Sequence, residues 1–153
     1  STIRPPENIL STHYNTLSKL NCILASIEAN KLKYDEGIMN DPHGNISTCN
    51  STNLFFIKKG QVWTSTGEFC LNGITRSKAI KICKMNKIPC NETNFTFEDI
   101  KDCEEAFVTG TFAGIIPVSK IEKYELSSTK SNSLVNKIRV FYTQYINQDI
   151  GYQ

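Results

Sequence analysis

Over residues 14–33, Leu17, Leu20, Leu24 and Ile27 recur at helical spacing, and Ile23 and Ala29 widen the stripe. The spacing predicts a long helix with one buried face. Residues 37–40 then read as a strand, Asp41 to Asn45 as a turn with Pro42 and Gly44 at turn positions, and Ile46-Ser47 as the start of the return strand. A polar, irregular crossing over 48–52 leads to a firm strand over Asn53 to Lys59 (NLFFIKK). Lys59-Gly60 turns it into Gln61-Val62-Trp63-Thr64. The first half therefore reads as one helix followed by an antiparallel meander.

A loop over 65–72 leads into a helix predicted over 75–86, with Thr75 as its cap and Ala79, Ile80, Ile82 and Cys83 at helical spacing. A short strand over 88–91 and a short helix from Thr96, with Asp99 three positions on, come next. Residues 105–109 read as a strand, 110–114 as a small-residue turn, and 115–121 as a further strand in which Pro117 marks an edge or a bulge. After a polar loop over 127–132, Leu134, Ile138, Phe141 and Tyr145 mark a closing helix over 133–147. The pattern predicts a mixed α+β fold: a strongly twisted, mostly antiparallel sheet curling toward a pseudo-barrel, with the three longer helices packed on it.

Composition changes this picture little. Of 153 residues, 39% are apolar and 21% charged, which suits a single domain over 1–153 with a real core. A net charge of +2, without basic runs, gives no reason to expect nucleic acid. No apolar stretch approaches the roughly 20 residues of a membrane span. Cys22, Cys49, Cys70, Cys83, Cys90 and Cys103 form no C-x-x-C pair, so no metal site is expected. Several sit on apolar faces, which favours reduced, buried thiols and an intracellular, cytoplasmic chain. Sequons at Asn45, Asn50, Asn91 and Asn94, with the even cysteine count, leave a secreted, disulfide-bonded glycoprotein as another reading. A start at Ser1 suggests a processed or trimmed chain.

The candidate chemistry lies in two turns. Leu71-Asn72-Gly73-Ile74-Thr75-Arg76 opens the second helix. Gly73 there permits positive φ or a close approach. Free N–H groups and the positive dipole end at a helix start attract anions. Val108-Thr109-Gly110-Thr111 is a strand end running into a small hydroxyl-bearing turn. Side by side, the two turns would make a phosphate-sized cup. Taken alone, the first turn reads more readily as a simple helix cap, since most Gly–Thr helix starts are only caps.

The order EGIMNDPHGNIS…STNLFFIKKGQVWTS…LNGITRSKAIKICKMNKIPC…FEDIKDCEEAFVTGTFAGIIPV resembles the large C-terminal domain of the class IV pyridoxal-phosphate enzymes. These are the branched-chain and D-amino-acid aminotransferases and aminodeoxychorismate lyase. The likeness runs from about Leu17 to Val118 and is weaker in the last helix. It implies that Gly73, Ile74, Thr75, Gly110 and Thr111 bind the phosphate of pyridoxal phosphate. It also implies a homodimer and a small-molecule substrate if the chain is active, and it leaves the family's smaller N-terminal domain unrepresented.

Two family positions depart from the pattern. The Schiff-base lysine falls at Asn15, or at Thr12 after a three-residue shift; Lys19, the nearest lysine, starts about 6 Å further along a helix. The glutamate that faces the pyridine nitrogen falls at Thr48, followed by Cys49. An amide forms no imine, and a hydroxyl supplies no charge to keep that nitrogen protonated. Two functions therefore stand side by side. One is an aminotransferase or lyase homologue working through an unrecognised lysine such as Lys19. The other is a non-catalytic pseudoenzyme kept as a binding or oligomerisation module.

Overall fold

The computed structural model describes residues 2–5, 11–12 and 14–149. Its helices are α1 (Leu20–Lys31), α2 (Ile74–Met85), α3 (Phe97–Ile100) and α4 (Leu134–Asp149). The strands are β1 (Ile38–Asn40), β2 (Ile46–Cys49), β3 (Asn53–Lys58), β4 (Gln61–Thr64) and β5 (Cys90–Glu92), then β6 (Glu105–Gly110), β7 (Gly114–Val118), β8 (Lys120–Ile121) and β9 (Tyr124–Glu125). The main sheet runs β5-β4-β3-β6-β7 and is antiparallel except where β5 joins β4. β1–β2 and β8–β9 are separate two-stranded ribbons. This is a mixed α+β fold built on a mostly antiparallel sheet, as the sequence pattern predicts.

The sheet centre explains why NLFFI is a continuous apolar run. Both of its faces are covered, so alternation between core and solvent is lost. Leu54, Phe56, Ala106 and Val108 turn one way, against Phe95 and Ile100. Phe55, Ile57 and Phe107 turn the other way, against Ala79 and Cys83 of α2 and Ile138 of α4. Phe55 and Phe107 face each other in register and stack with ring centroids 4.6 Å apart. That contact locks the two central strands under the helices.

The first helix is shorter than predicted, and its burial is reversed. It begins at Leu20 and buries Ala25 and Ala29, while Leu20, Ile23, Leu24 and Ile27 face outward and Leu17, just before it, is fully exposed. The physical reason lies just before β1, at Gly37. A Cβ on Gly37 would sit 2.8 Å from the Ala25 carbonyl oxygen, so the backbones approach too closely for large side chains between them. The apolar stripe is real but is not what faces the sheet.

Four smaller differences follow from pairing. Thr48 and Cys49, expected in an irregular crossing, belong to β2 and pair with Met39 and Ile38. β5 begins at Cys90 rather than at 88, where it pairs with Val62. The strand expected over 115–121 stops at Val118, and the chain turns through Glu122 at φ 50° to form the β8–β9 ribbon. The first half is not one meander, because β1–β2 and β3–β4 lie in different sheets. Pro117 does sit on an edge strand, where its missing N–H costs no ladder bond. Thr96 and Asp99 form the expected reciprocal capping box, and accepting those bonds holds the Asp99 carboxyl below its ordinary range.

Replacing Phe107 by Ala should cost about 3–5 kcal/mol in denaturant unfolding, the cost of a cavity beneath both helices. Leu17→Ala should change stability by no more than about 0.5 kcal/mol. A large loss at Leu17 would contradict the outward face of this segment.

Candidate phosphate-binding site

The second helix begins one residue earlier than predicted. Gly73, not Thr75, is the N-cap, and no side chain caps this end. Thr75 instead lies buried inside the first turn. The Gly73 N–H turns back to the Leu71 carbonyl (2.9 Å), and the first intrahelical bond runs from the Ser77 N–H to the Gly73 carbonyl (3.0 Å). The amides of Ile74, Thr75 and Arg76 precede that bond and carry the positive end of the helix dipole.

Asn53, the first residue of β3, fixes where this helix end sits. Its Nδ2 donates to the Leu71 carbonyl at 3.0 Å, and Thr48 Oγ1 and Cys70 Sγ lie 3.5 Å from the same nitrogen. A Cβ on Gly73 would come within 2.7 Å of Asn53 Oδ1, so glycine is required by proximity rather than by a turn angle. Arg76 braces the turn from inside. Its guanidinium donates to Asn72 Oδ1 (3.0 Å), the Ser65 carbonyl (2.6 Å) and Glu92 Oε2 (3.0 Å). A planar fork with several fixed donors suits such a corner better than lysine would.

The second turn is carried to the same place by strand pairing. Thr109 pairs in register with Asn53, and Gly110 ends β6 beside it. Alternation along β6 puts Thr109 on the face of Phe107, the face that α2 covers. The Thr109 hydroxyl is buried and has no protein partner among the described residues. An orphaned buried hydroxyl costs on the order of 1–3 kcal/mol unless something else satisfies it. The uncapped helix start and this hydroxyl fit a phosphate group. Thr111 does not share that setting wholly: it also borders a second cavity of about 300 Å³ with Arg139 and Tyr142.

A cavity of about 400 Å³ opens beside Asn53 and Leu71, and Asn15, Lys19 and Thr48 line it. Asn15 and Thr48 are thus brought to one cavity, Lys19 with them. Thr12 is not among them: it is buried and donates to the Glu68 carbonyl at 2.8 Å. Thr48 Oγ1 is spent on the Thr52 carbonyl at 2.7 Å. Arg4 and Lys19 are cations on the cavity wall, and no carboxylate lines it among the described residues. Beneath it, burial and the neighbouring Glu36 carboxylate push the Cys49 thiol up, so it stays protonated. The residues present therefore fit the cofactor's phosphate but place no amine at either expected lysine position. Among the described residues, no cluster of metal-ligating side chains occurs and no helix is long and apolar enough to cross a membrane.

Sequence reasoning missed Asn53 as a site residue, and within the Val108-Thr109-Gly110-Thr111 stretch it chose Gly110 and Thr111 over Thr109. The signal for Asn53 was a polar residue beginning an otherwise apolar strand.

Comparison with known proteins gives the family and the fold. The family model for amino-transferase class IV matches residues 1–121. The chain is 33% identical over 138 residues to branched-chain-amino-acid aminotransferase-like protein 2 of Arabidopsis thaliana, covering 90% of this chain and 24% of that protein. It is 30% identical over 137 residues to a D-alanine aminotransferase of Listeria monocytogenes, covering 89% of this chain and 47% of that one. The crystal structure of the branched-chain amino acid aminotransferase of Thermobaculum terrenum in its pyridoxal-phosphate form superposes with a TM-score of 0.89 at 26% identity, over 95% of this chain and 48% of that chain. The protein belongs to the class IV aminotransferase family. It spans half or less of the length of these relatives.

Proposed function

We propose that this chain is a class IV aminotransferase-like domain that holds pyridoxal phosphate by its phosphate, without an imine, and serves as a non-catalytic binding module. What supports this reading is a pair of unsatisfied features, the uncapped start of α2 and the orphaned Thr109 hydroxyl, which Asn53 links through its bond to the Leu71 carbonyl and its pairing with Thr109. In relatives of this family the cofactor supplies an electron sink for amino-group chemistry. Here the amides of Ile74 and Thr75, with the hydroxyls of Thr75, Thr109 and Thr111 and the turn at Gly110, would hold the phosphate. Gly73 keeps the approach open, and Asn53 holds the two turns in place. Across the cavity, Asn15 can hydrogen-bond a carbonyl oxygen but cannot condense with it. Thr48 can meet a ring nitrogen only as a neutral partner, and its hydroxyl proton is already given to Thr52.

A second reading, a transaminase or lyase, has one observation in its favour: Lys19 lines the same cavity. One experiment separates the two. The chain is dialysed to equilibrium with pyridoxal phosphate, treated with borohydride and weighed intact. Saturable binding with no reduced adduct is the expected result. An adduct fixed on Lys19 would establish the catalytic reading, and the lack of any binding would sink both.

The family resemblance also supports a homodimer, and the outward stripe of α1 supplies an apolar face for one. Sedimentation velocity should show a dimer that Leu24→Glu converts to monomer. A monomeric parent chain would overturn this assembly.

A further inference from the structure

Two thiols lie together at the other end of α2, away from the phosphate turn. Cys83 stands in the last turns of that helix, and Cys90 opens β5. Between them the helix ends at Asn86, Lys87 takes the left-handed conformation (φ 56°), and the Ile88 N–H returns to the Cys83 carbonyl at 2.9 Å. That reversal carries the chain back along α2. Pairing of Cys90 with Val62 then seats it against the cluster of Cys83, Ala79 and Val62. Cys83 is wholly buried, whereas Cys90 is half-buried and reachable from the sheet edge.

From this arrangement we infer that Cys83 and Cys90 form a thiol–disulfide exchange site for low-molecular-weight disulfides of the oxidised glutathione class. Cys90 is the attacking sulfur and Cys83 the resolving one. The local chemistry supports the assignment. Donation from Cys83 draws the Cys90 thiol below its ordinary range, and Lys84 and Arg76 help, against burial and Glu92. Burial instead pushes the Cys70 thiol up, and the Cys103 thiol up to about 11. Thiolate, not thiol, is the attacking species, so Cys90 is favoured over these buried thiols.

The exchange balances without any further reactant. The Cys90 thiolate attacks one sulfur of oxidised glutathione, whose S–S bond breaks, and one glutathione thiolate leaves. The hydrogen bond to Cys90 and burial push the Cys83 thiol up, so it keeps its proton until the mixed disulfide forms; it then gives up that proton and attacks Cys90 Sγ, expelling the second glutathione thiolate, which takes the proton. The cysteine pair is oxidised by two electrons, and one disulfide becomes two glutathione thiols. The product ties the end of α2 to edge strand β5. This inference is independent of the cofactor reading, because neither thiol belongs to the phosphate site.

The test is intact-mass analysis and peptide mapping after incubating the full chain with oxidised glutathione. Loss of two hydrogens, mapped to a Cys83–Cys90 disulfide, is the expected result. Cys83→Ser should instead accumulate a mixed disulfide on Cys90. A parent chain whose Cys90 stays unmodified, keeps glutathione or pairs with another cysteine would overturn the proposal. Since that outcome is read in the parent chain, poor folding of the variant would not obscure it.

Discussion

The candidate site depends on Asn53. One buried amide holds the Leu71 carbonyl, lies against Gly73, and belongs to the residue paired in register with Thr109. It therefore sets both walls of the cup at once. The aromatic stack of Phe55 and Phe107 just along the same strands gives that pairing its rigidity. Arg76 then braces the turn from inside against Ser65 and Glu92. A buried polar network of this kind stabilises only when its members are satisfied, and here the Thr109 hydroxyl is not. Among the described residues, Arg76 Nε and Trp63 Nε1 are also buried without a partner, but the Thr109 hydroxyl is the one in the turn that faces the start of α2, and it is the feature that points to a ligand.

The two halves of the site have different physical character. The proposed phosphate side would consist of backbone amides and short hydroxyls held by the sheet and α2. The opposite side consists of Asn15, Lys19 and Thr48 around an open cavity. Anion binding needs only oriented donors, so it survives changes in side-chain identity at other positions. Imine formation needs one amine at one place, and no neighbouring residue type substitutes for it. The chain belongs to the class IV aminotransferase family, and both halves of the site are left to experiment.

Much of this was legible in the sequence where local chemistry decides structure. NLFFIKK reads as a strand because both of its faces are buried, and Thr96 with Asp99 reads as a capping box because its bonds are local. The glycine turn at Gly73 and the hydroxyl turn at Gly110 were visible for the same reason. Periodicity misled at α1, because an apolar stripe shows that a face is apolar and not what covers it. The close passage of Gly37 leaves room for no side chain larger than alanine at Ala25. The roles of Asn53 and Thr109 were hidden because they arise from register and from a contact with Leu71, well separated along the chain. The meeting of Cys83 and Cys90 was hidden likewise by the left-handed reversal at Lys87.

If the Thr109 hydroxyl is retained for a phosphate, its removal should separate binding from stability. Calorimetric titration of pyridoxal phosphate into Thr109→Val, beside a thermal melt, measures both. Valine keeps the shape and removes an unsatisfied polar group, so the melting temperature should hold or rise, while affinity falls about tenfold with one lost hydrogen bond. Unchanged affinity in a well-folded Thr109→Val chain would contradict the cup.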